Sequence, residues 1–432
     1  MNIEDKKIME LRLAMGITEA DLAAAMNLSV DKVINVENGK GHYSGGQRKR
    51  AKEYLGIAGA PLTKDACTIA KEQIYLFRNF ARERRFDEAE AMYKELRVLA
   101  KLEPCDFELS MLFLLFEAQL KLLTNKLDAA EEKLTYLHSH LEEMCPKHQF
   151  YFYSNMGTLH VKRGRYNDGV DCCEKALELS NSNNDFYPDV SEKPWIVSDI
   201  GICYSNLQYP VRAMISLLDA RRLRPVKEFD RFRLDLDLPL AKNYIKLNHL
   251  STAKDALDSC LLQANVFKDT HSIGLTKLHY GELHMKSRKW KKALGCLDES
   301  IACYKEGTEF HFTATYRKTI CLINARALKK AKKLIVQMRM IYSTHEVYSV
   351  YVESATRYLT ISGRKTLSNP EAVKYIKTVT IPHLLEIGDF FEAMDYYKLL
   401  EEHYAKSGNQ MKSLLMSKPL LELFERCFLN QD

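Results

Sequence analysis

Small and aromatic residues recur at fixed offsets inside a helical hydrophobic pattern between Tyr153 and Ile301, and the arrangement returns four times. The first copy has Gly157 and His160, a turn at Gly164 and Tyr166, then Gly169 and Ala176; the second has Gly201, Tyr204, Tyr209, Ala213 and Ala220. The third runs through Ala241, Tyr244, Leu250, Ala253 and Cys260, and the fourth through Gly281, His284, Trp290, Ala293 and Ser300. Helices that touch need small residues where their ridges cross, so each copy predicts a helical hairpin. Cys173, Leu217, Leu257 and Leu297, four residues after Gly169, Ala213, Ala253 and Ala293, are expected to fill the gap to the next hairpin.

These small residues fall 44, 40 and 40 residues apart. The pattern resembles the tetratricopeptide repeat, whose unit is about 34 residues, with longer helices or connections here. Copies with less regular spacing extend it both ways: Ile74 to Ala89 and Leu114 to Leu134 before it, then Phe312 to Tyr342, a helix over Tyr348–Ile361, a loop at Gly363–Pro370, and helices over Glu371–Ile387 and Phe390–Tyr404. Met411–Phe428 reads as a closing helix that covers the last apolar face. Ser180–Pro194, rich in Asn, Ser and Asp, reads as a mobile loop that accounts for the longer interval. The expected fold class is all-α: a right-handed α-solenoid of about eight tetratricopeptide-like hairpins over residues 70–407, capped by 408–432.

Ahead of this array, Ile8, Leu11 and Met15 give a short amphipathic helix that stops at Gly16. Thr18 caps a second helix through Met26, and Ser29 caps a third from Val30 to Val36, ending at Asn38-Gly39. A last helix is expected over Gln47–Leu55, after a flexible loop that lacks the spacing of a phosphate loop. Residues 8–57 resemble the Xre/Cro-type repressor domain, a helix-turn-helix, including the Arg12 to Glu37 pair that ties the first helix to the end of the recognition helix. The resemblance implies a DNA-binding domain over residues 1–58. Val30, Asp31, Lys32 and Asn35 would face base edges, Thr18 and Asn38 would lie near phosphates, and Lys40 and Arg48 would supply positive charge. Glu19 departs from the Gln common in that family, and Asp31 adds a carboxylate near phosphate; a folded cap or dimerisation piece is the alternative. Gly56–Leu62 reads as a hinge, within a linker assigned to 59–69.

Composition narrows the function. With 432 residues and 46% hydrophobic content the chain builds a large core. No apolar run reaches membrane-spanning length and the first seven residues do not form a signal sequence, so a cytoplasmic protein is expected. Eleven cysteines, an odd number with no Cys-x-x-Cys, read as free core fillers, and Cys172 and Cys173 point apart on a helix. His138 and His140 lack the spacing of a metal pair, and Glu131-Glu132 and Glu401-Glu402 read as solvated helix faces. No catalytic constellation, metal or cofactor is expected, which leaves binding.

In a hairpin stack the first helix of each hairpin lines the concave face. The offsets from the small residues place Asn155, Thr158, Asp199, Ile202, Asn206, Lys242, Ile245, Lys246, Met285, Tyr316, Arg317 and Asn324 on or next to that face, with Ser205 and Glu282 among them. Asparagine suits a peptide ligand because its amide both donates and accepts. A repressor-type domain before such an array resembles the cytoplasmic peptide-pheromone receptors of Gram-positive bacteria and their phages, the Rap, Rgg, NprR, PlcR and PrgX group, with a length nearest NprR-like members. The resemblance implies a homodimeric transcription regulator, and the missing catalytic constellation a protein that is not an enzyme. Its partners would be double-stranded DNA and a short signalling peptide, with no membrane, and peptide binding would change DNA affinity or dimer geometry through the hinge near Pro61. A Rap-like adaptor that sequesters a response regulator, and a phage communication receptor, are the alternatives.

Overall fold

The computed structural model describes residues 3–55, 64–102, 107–182, 192–224, 231–342, 344–363 and 369–429. The described residues are helical throughout, with no strand among them. The chain divides into two compact units: residues 1–162 with 175–187, and residues 163–174 with 188–432.

The first unit opens with α1 (Ile3–Ala14), α2 (Glu19–Met26), α3 (Val30–Glu37) and α4 (Gly45–Tyr54). Gly16 at φ +68 ends the first helical stretch, and Asn27 at φ 58 makes the tight turn between α2 and α3. Ile8, Leu22, Met26, Val33, Val36, Ala51 and Leu55 form one core. Its polar keystone is Arg12, whose side chain is 4% exposed. The guanidinium donates to both carboxylate oxygens of Glu37 at 2.8 and 2.7 Å, to Glu19 at 2.7 Å and to the Ile17 carbonyl at 2.7 Å. Two boundaries differ from expectation. The first helix starts before its apolar face because Asp5, fully buried, anchors Arg48 of α4 at 2.7 Å. The last starts at Gly45 because Ser44 and Gln47 form a reciprocal capping box.

Helical hairpins follow. In the first unit these are α5 (Lys64–Arg82) with α6 (Phe86–Leu102) and α7 (Phe107–Leu123) with α8 (Leu127–His138), then α9 (Pro146–Lys162) and α10 (Tyr166–Ser182), the last shared between the units. The expected hinge Gly56–Leu62 lies outside the described residues, whereas 64–69 are already helix. The interior of the expected loop Ser180–Pro194 and most of 363–370 also lie outside them.

The second unit contains α11 (Lys193–Asn206), α12 (Pro210–Leu223), α13 (Arg231–Lys246), α14 (Leu250–Val266), α15 (Thr270–Lys286), α16 (Trp290–Ala302), α17 (Glu309–Asn324), α18 (Leu328–Tyr342) and α19 (Glu346–Ser362). It continues with α20 (Pro370–Tyr375), a π-helical turn (Ile376–Thr380), α21 (Ile381–Glu386), α22 (Phe390–Lys406) and α23 (Gln410–Phe428). Each helix packs on its sequence neighbour, and α11, α13, α15, α17 and α19 also pack side by side. The small-residue seam works as expected: a Cβ on Gly201 would come within 2.6 Å of Leu217, and one on Gly281 within 2.6 Å of Leu297. Ala213, Ala253 and Ala293 are fully buried.

Each hairpin turn contains a left-handed residue two positions before its second helix. These are Arg84, Asn125, Gly164, Gln208, Asn248, Arg288, Arg326, Gly388 and Gly408. A side chain there costs about 1–2 kcal/mol, and Arg, Asn or Gln occupies most of these sites because the flanking helix contacts enforce the turn. The expected separate cap, α23, is the second helix of the last hairpin with α22, and it also reaches α12 within the same unit.

Candidate binding surfaces

On α3 the buried face is Val33 and Val36, which turns Val30, Asp31, Ile34 and Asn35 to solvent. Asn38 and Lys40 are exposed, and Lys32 is partly so. Two of the predicted DNA contacts are engaged elsewhere. Arg48, 18% exposed, is held bidentate by buried Asp5, and the Thr18 hydroxyl caps α2 in a reciprocal pair with Asp21. Ile34, 40% exposed, was not singled out in the sequence because its apolar character reads as core.

The predicted peptide contacts separate. In the first unit Asn155 is 2% exposed and its amide donates to the Leu115 carbonyl at 2.8 Å, so it is an internal brace rather than a lining residue; Thr158 donates to the Ser154 carbonyl one turn back. In the second unit Ile245 and Tyr316 are buried, Ile202 and Met285 are half-buried against the core, Asp199 is partly exposed, and Asn324 accepts from the Tyr358 hydroxyl at 3.1 Å.

Six of the predicted residues do gather. Lys242 donates to Asn206 Oδ1 at 3.0 Å, and Lys246 one turn later donates to the Ser205 carbonyl at 3.0 Å and to Gln208 at 2.6 Å. On the neighbouring helices Arg317 Nε lies 3.2 Å from Glu282, and His279 lies 2.9 Å from the same carboxylate. Glu282 and Arg317 keep 24% and 27% of their side chains exposed, so the row is deep without being sealed. Asn243, completely buried behind it, ties α13 to α11 through Ser205 at 2.9 Å.

The start of α22 closes on this row. Arg317 donates to Glu392 at 2.5 Å, the Tyr316 hydroxyl donates to the other Glu392 oxygen at 2.6 Å, and Lys246 sits 5.0 Å over the Phe391 ring. Asp389 accepts from Tyr351 at 3.0 Å. The inner wall expected to lie open is thus partly covered by the carboxy-terminal hairpin of its own unit. Sequence reasoning missed Asp389, Phe391 and Glu392, because a contact across 75 residues leaves no local period.

The charges in this row are strongly perturbed. Burial pushes Lys242 down and Lys246 well down from the ordinary lysine range, with Lys242 adding repulsion on Lys246. Burial would raise Glu282, but His279, Arg317 and Lys242 outweigh it and hold the carboxyl at about 2. Burial pushes Glu392 upward despite Arg317 beside it. Two buried lysines whose hydrogen-bond partners are all neutral, next to a well-paired Glu–Arg set, make a site that gains from an incoming carboxylate. Elsewhere burial pushes Cys203 up to about 12 and Cys321 to about 11, the opposite of an activated thiolate. Among the described residues no group of His, Cys, Asp or Glu is arranged to hold a metal, and no helix is long and apolar enough to cross a membrane.

This all-helical, hairpin-repeat architecture is shared with solved structures of quorum-sensing receptors. The chain is similar to a Rap protein solved with the competence and sporulation factor, at TM-score 0.70 and 16% identity, over 83% of this chain and 99% of that one. It is similar to the quorum sensor NprR from B. thuringiensis in its apo form, at TM-score 0.63 and 18% identity over 82% of this chain and 98% of that one. NprR in complex with its cognate peptide NprX gives TM-score 0.63 and 18% identity over 82% and 99%. In sequence it is 24% identical over 112 residues to outer dynein arm-docking complex subunit 4 of Xenopus laevis. That match covers 26% of this chain and 20% of the relative, so it spans about a fifth of that protein's length. No family model matches.

Proposed function

We propose that the protein is a cytoplasmic receptor for a short signalling peptide, acting as a homodimeric transcription regulator. The second unit receives the peptide along α13, α15 and α17, and α3 contacts duplex DNA. The row Asn206, Lys242, Lys246, Glu282 and Arg317 carries the reading, because it sets donors and acceptors at the depth where an extended chain needs both. The likeness in fold to NprR solved with its cognate peptide NprX supports it. The peptide carboxylate pairs with Lys242 and Lys246, and its entry exchanges with the α22 contacts of Lys246 and Arg317. The ligand therefore shifts the position of α22 by the difference in its affinity for the two arrangements.

Calorimetric titration with peptides encoded by an adjacent short reading frame tests the receptor role. Lys246→Ala is expected to weaken a bound peptide about tenfold or more, the worth of one charge-assisted hydrogen bond; equal affinity in the variant removes Lys246 from the site. For the DNA role, Lys32→Ala with Asn35→Ala abolishes sequence-specific binding to a promoter fragment, leaving no preference over a mixed-sequence duplex, while the melting temperature stays near that of wild type. Unchanged binding removes that role. The fold likeness extends to Rap proteins as well as to NprR, and a second reading is an adaptor acting on a response regulator. A response regulator recovered equally well by wild type and by the DNA-deficient variant supports it.

A further inference from the structure

Neither the peptide row nor α3 uses the turns of two successive hairpins in the second unit. Residues 286–292 read Lys-Ser-Arg-Lys-Trp-Lys-Lys, and residues 326–333 read Arg-Ala-Leu-Lys-Lys-Ala-Lys-Lys. Each stretch holds five cations and no acid, and together they exceed the chain's net charge of +6, so the remainder of the molecule is net negative. The structure brings the two turns together. Arg288 and Arg326 occupy the same left-handed position of their hairpins, Leu294 packs against the cluster that holds Ala327, Leu328 and Ala331, and Cys321 Sγ lies 4.0 Å from the Trp290 carbonyl. The lysines of both stretches are exposed, and none forms an ion pair among the described residues. Other lysines of the unit behave differently: Lys254 pairs with Asp258, Lys277 with Glu299 and Lys318 with Asp298. The clustered charge registers on His284, which burial and then Lys292, Lys289 and Lys254 push below the ordinary histidine range.

We propose that this edge of the repeat unit is a second, sequence-independent contact for the phosphate backbone of duplex DNA. An acidic protein is the less suitable partner, because protein interfaces are built on an apolar centre and are depleted in lysine. Here Trp290 and Leu328 are turned inward to the core, and the exposed apolar side chains of α18, Val336 and Met340, begin only beyond the lysines. Flexible, unpaired cations without an apolar centre are what counterion release from a polyphosphate requires. The choice of DNA over RNA rests on the reading of α3.

The test uses the full chain and Lys289→Ala/Lys292→Ala/Lys330→Ala/Lys333→Ala, all exposed positions, titrated across a salt series with a mixed-sequence DNA duplex and with single-stranded RNA. The slope of log affinity against log salt for the duplex is expected to fall in magnitude by up to about 3.6 for four lost lysines. The same change is expected in a Lys32→Ala/Asn35→Ala background, where the α3 contribution is absent, so failure of the α3 reading and failure of this one give different results. A duplex slope unchanged within about one unit overturns the proposal. So does a loss confined to the RNA, which would assign the edge to a different nucleic acid.

Discussion

Arg12→Ala is expected to destabilise the amino-terminal four helices by about 3 kcal/mol, seen as a lowered melting transition of the chain and faster cleavage within residues 1–55. The arginine is the hub of the bundle: one planar group closes α1 onto α3 through Glu37, onto α2 through Glu19, and onto the α1–α2 turn through the Ile17 carbonyl. Its removal leaves Glu37, 10% exposed, with its carboxylate facing the bundle interior and no cation against it. It also leaves a turn carbonyl without its donor. The apolar core here is small, so it cannot absorb such a loss. Arg12→Lys is expected to recover less than half of it, since an ammonium cannot reach both Glu37 oxygens and the carbonyl from one plane. Glu37→Ala is expected to be milder than Arg12→Ala, because Arg12 keeps Glu19 and Ile17. Differential scanning calorimetry and proteolysis within residues 1–55 report the change, and a shift smaller than that of Glu37→Ala refutes the hub role.

Arg317→Ala is expected to destabilise the second unit by about 3 kcal/mol and to release the start of α22. Glu392 is 5% exposed, and without Arg317 its nearest partners are the Tyr316 hydroxyl and the like charge of Asp389. The double variant Arg317→Ala/Glu392→Gln is expected to recover most of the loss, because a neutral amide still accepts from Tyr316 and no longer needs a cation. That non-additivity is the signature of direct coupling. Hydrogen exchange localises it: amides at the start of α22 lose protection in the single variant and regain it in the double. Additive losses, or unaltered protection in α22, refute the claim that this ion pair holds the hairpin across the row. Under the proposed function the single variant also has altered peptide affinity, since the bound peptide and α22 use the same cations.

The array was legible in the sequence because its determinants are local. A glycine at 201 or 281 and a leucine sixteen residues on are both ends of one helix–helix contact, and repetition at about forty residues makes that contact visible four times. The caps at Thr18 and Ser29 were legible for a similar reason, being local, whereas the Arg12–Glu37 tie, 25 residues apart, was expected only from the resemblance to the Xre/Cro-type domain. The αL turns were legible only where glycine or asparagine fills them; at Arg288 or Arg326 the backbone conformation is imposed by packing and leaves no mark on the residue type.

Residue type and spacing by themselves determined that this chain is a run of helical hairpins behind a small bundle, because close packing and capping act within a few turns of helix. Only the tertiary structure decided which polar groups meet: that Asn155 and Arg48 are internal braces, that Lys242 and Lys246 hydrogen-bond to neutral groups, and that Glu392 reaches Arg317 across 75 residues. The first two are set by packing between neighbouring helices, and the last by small rotations per hairpin that sum to a long-range contact no single stretch of sequence encodes.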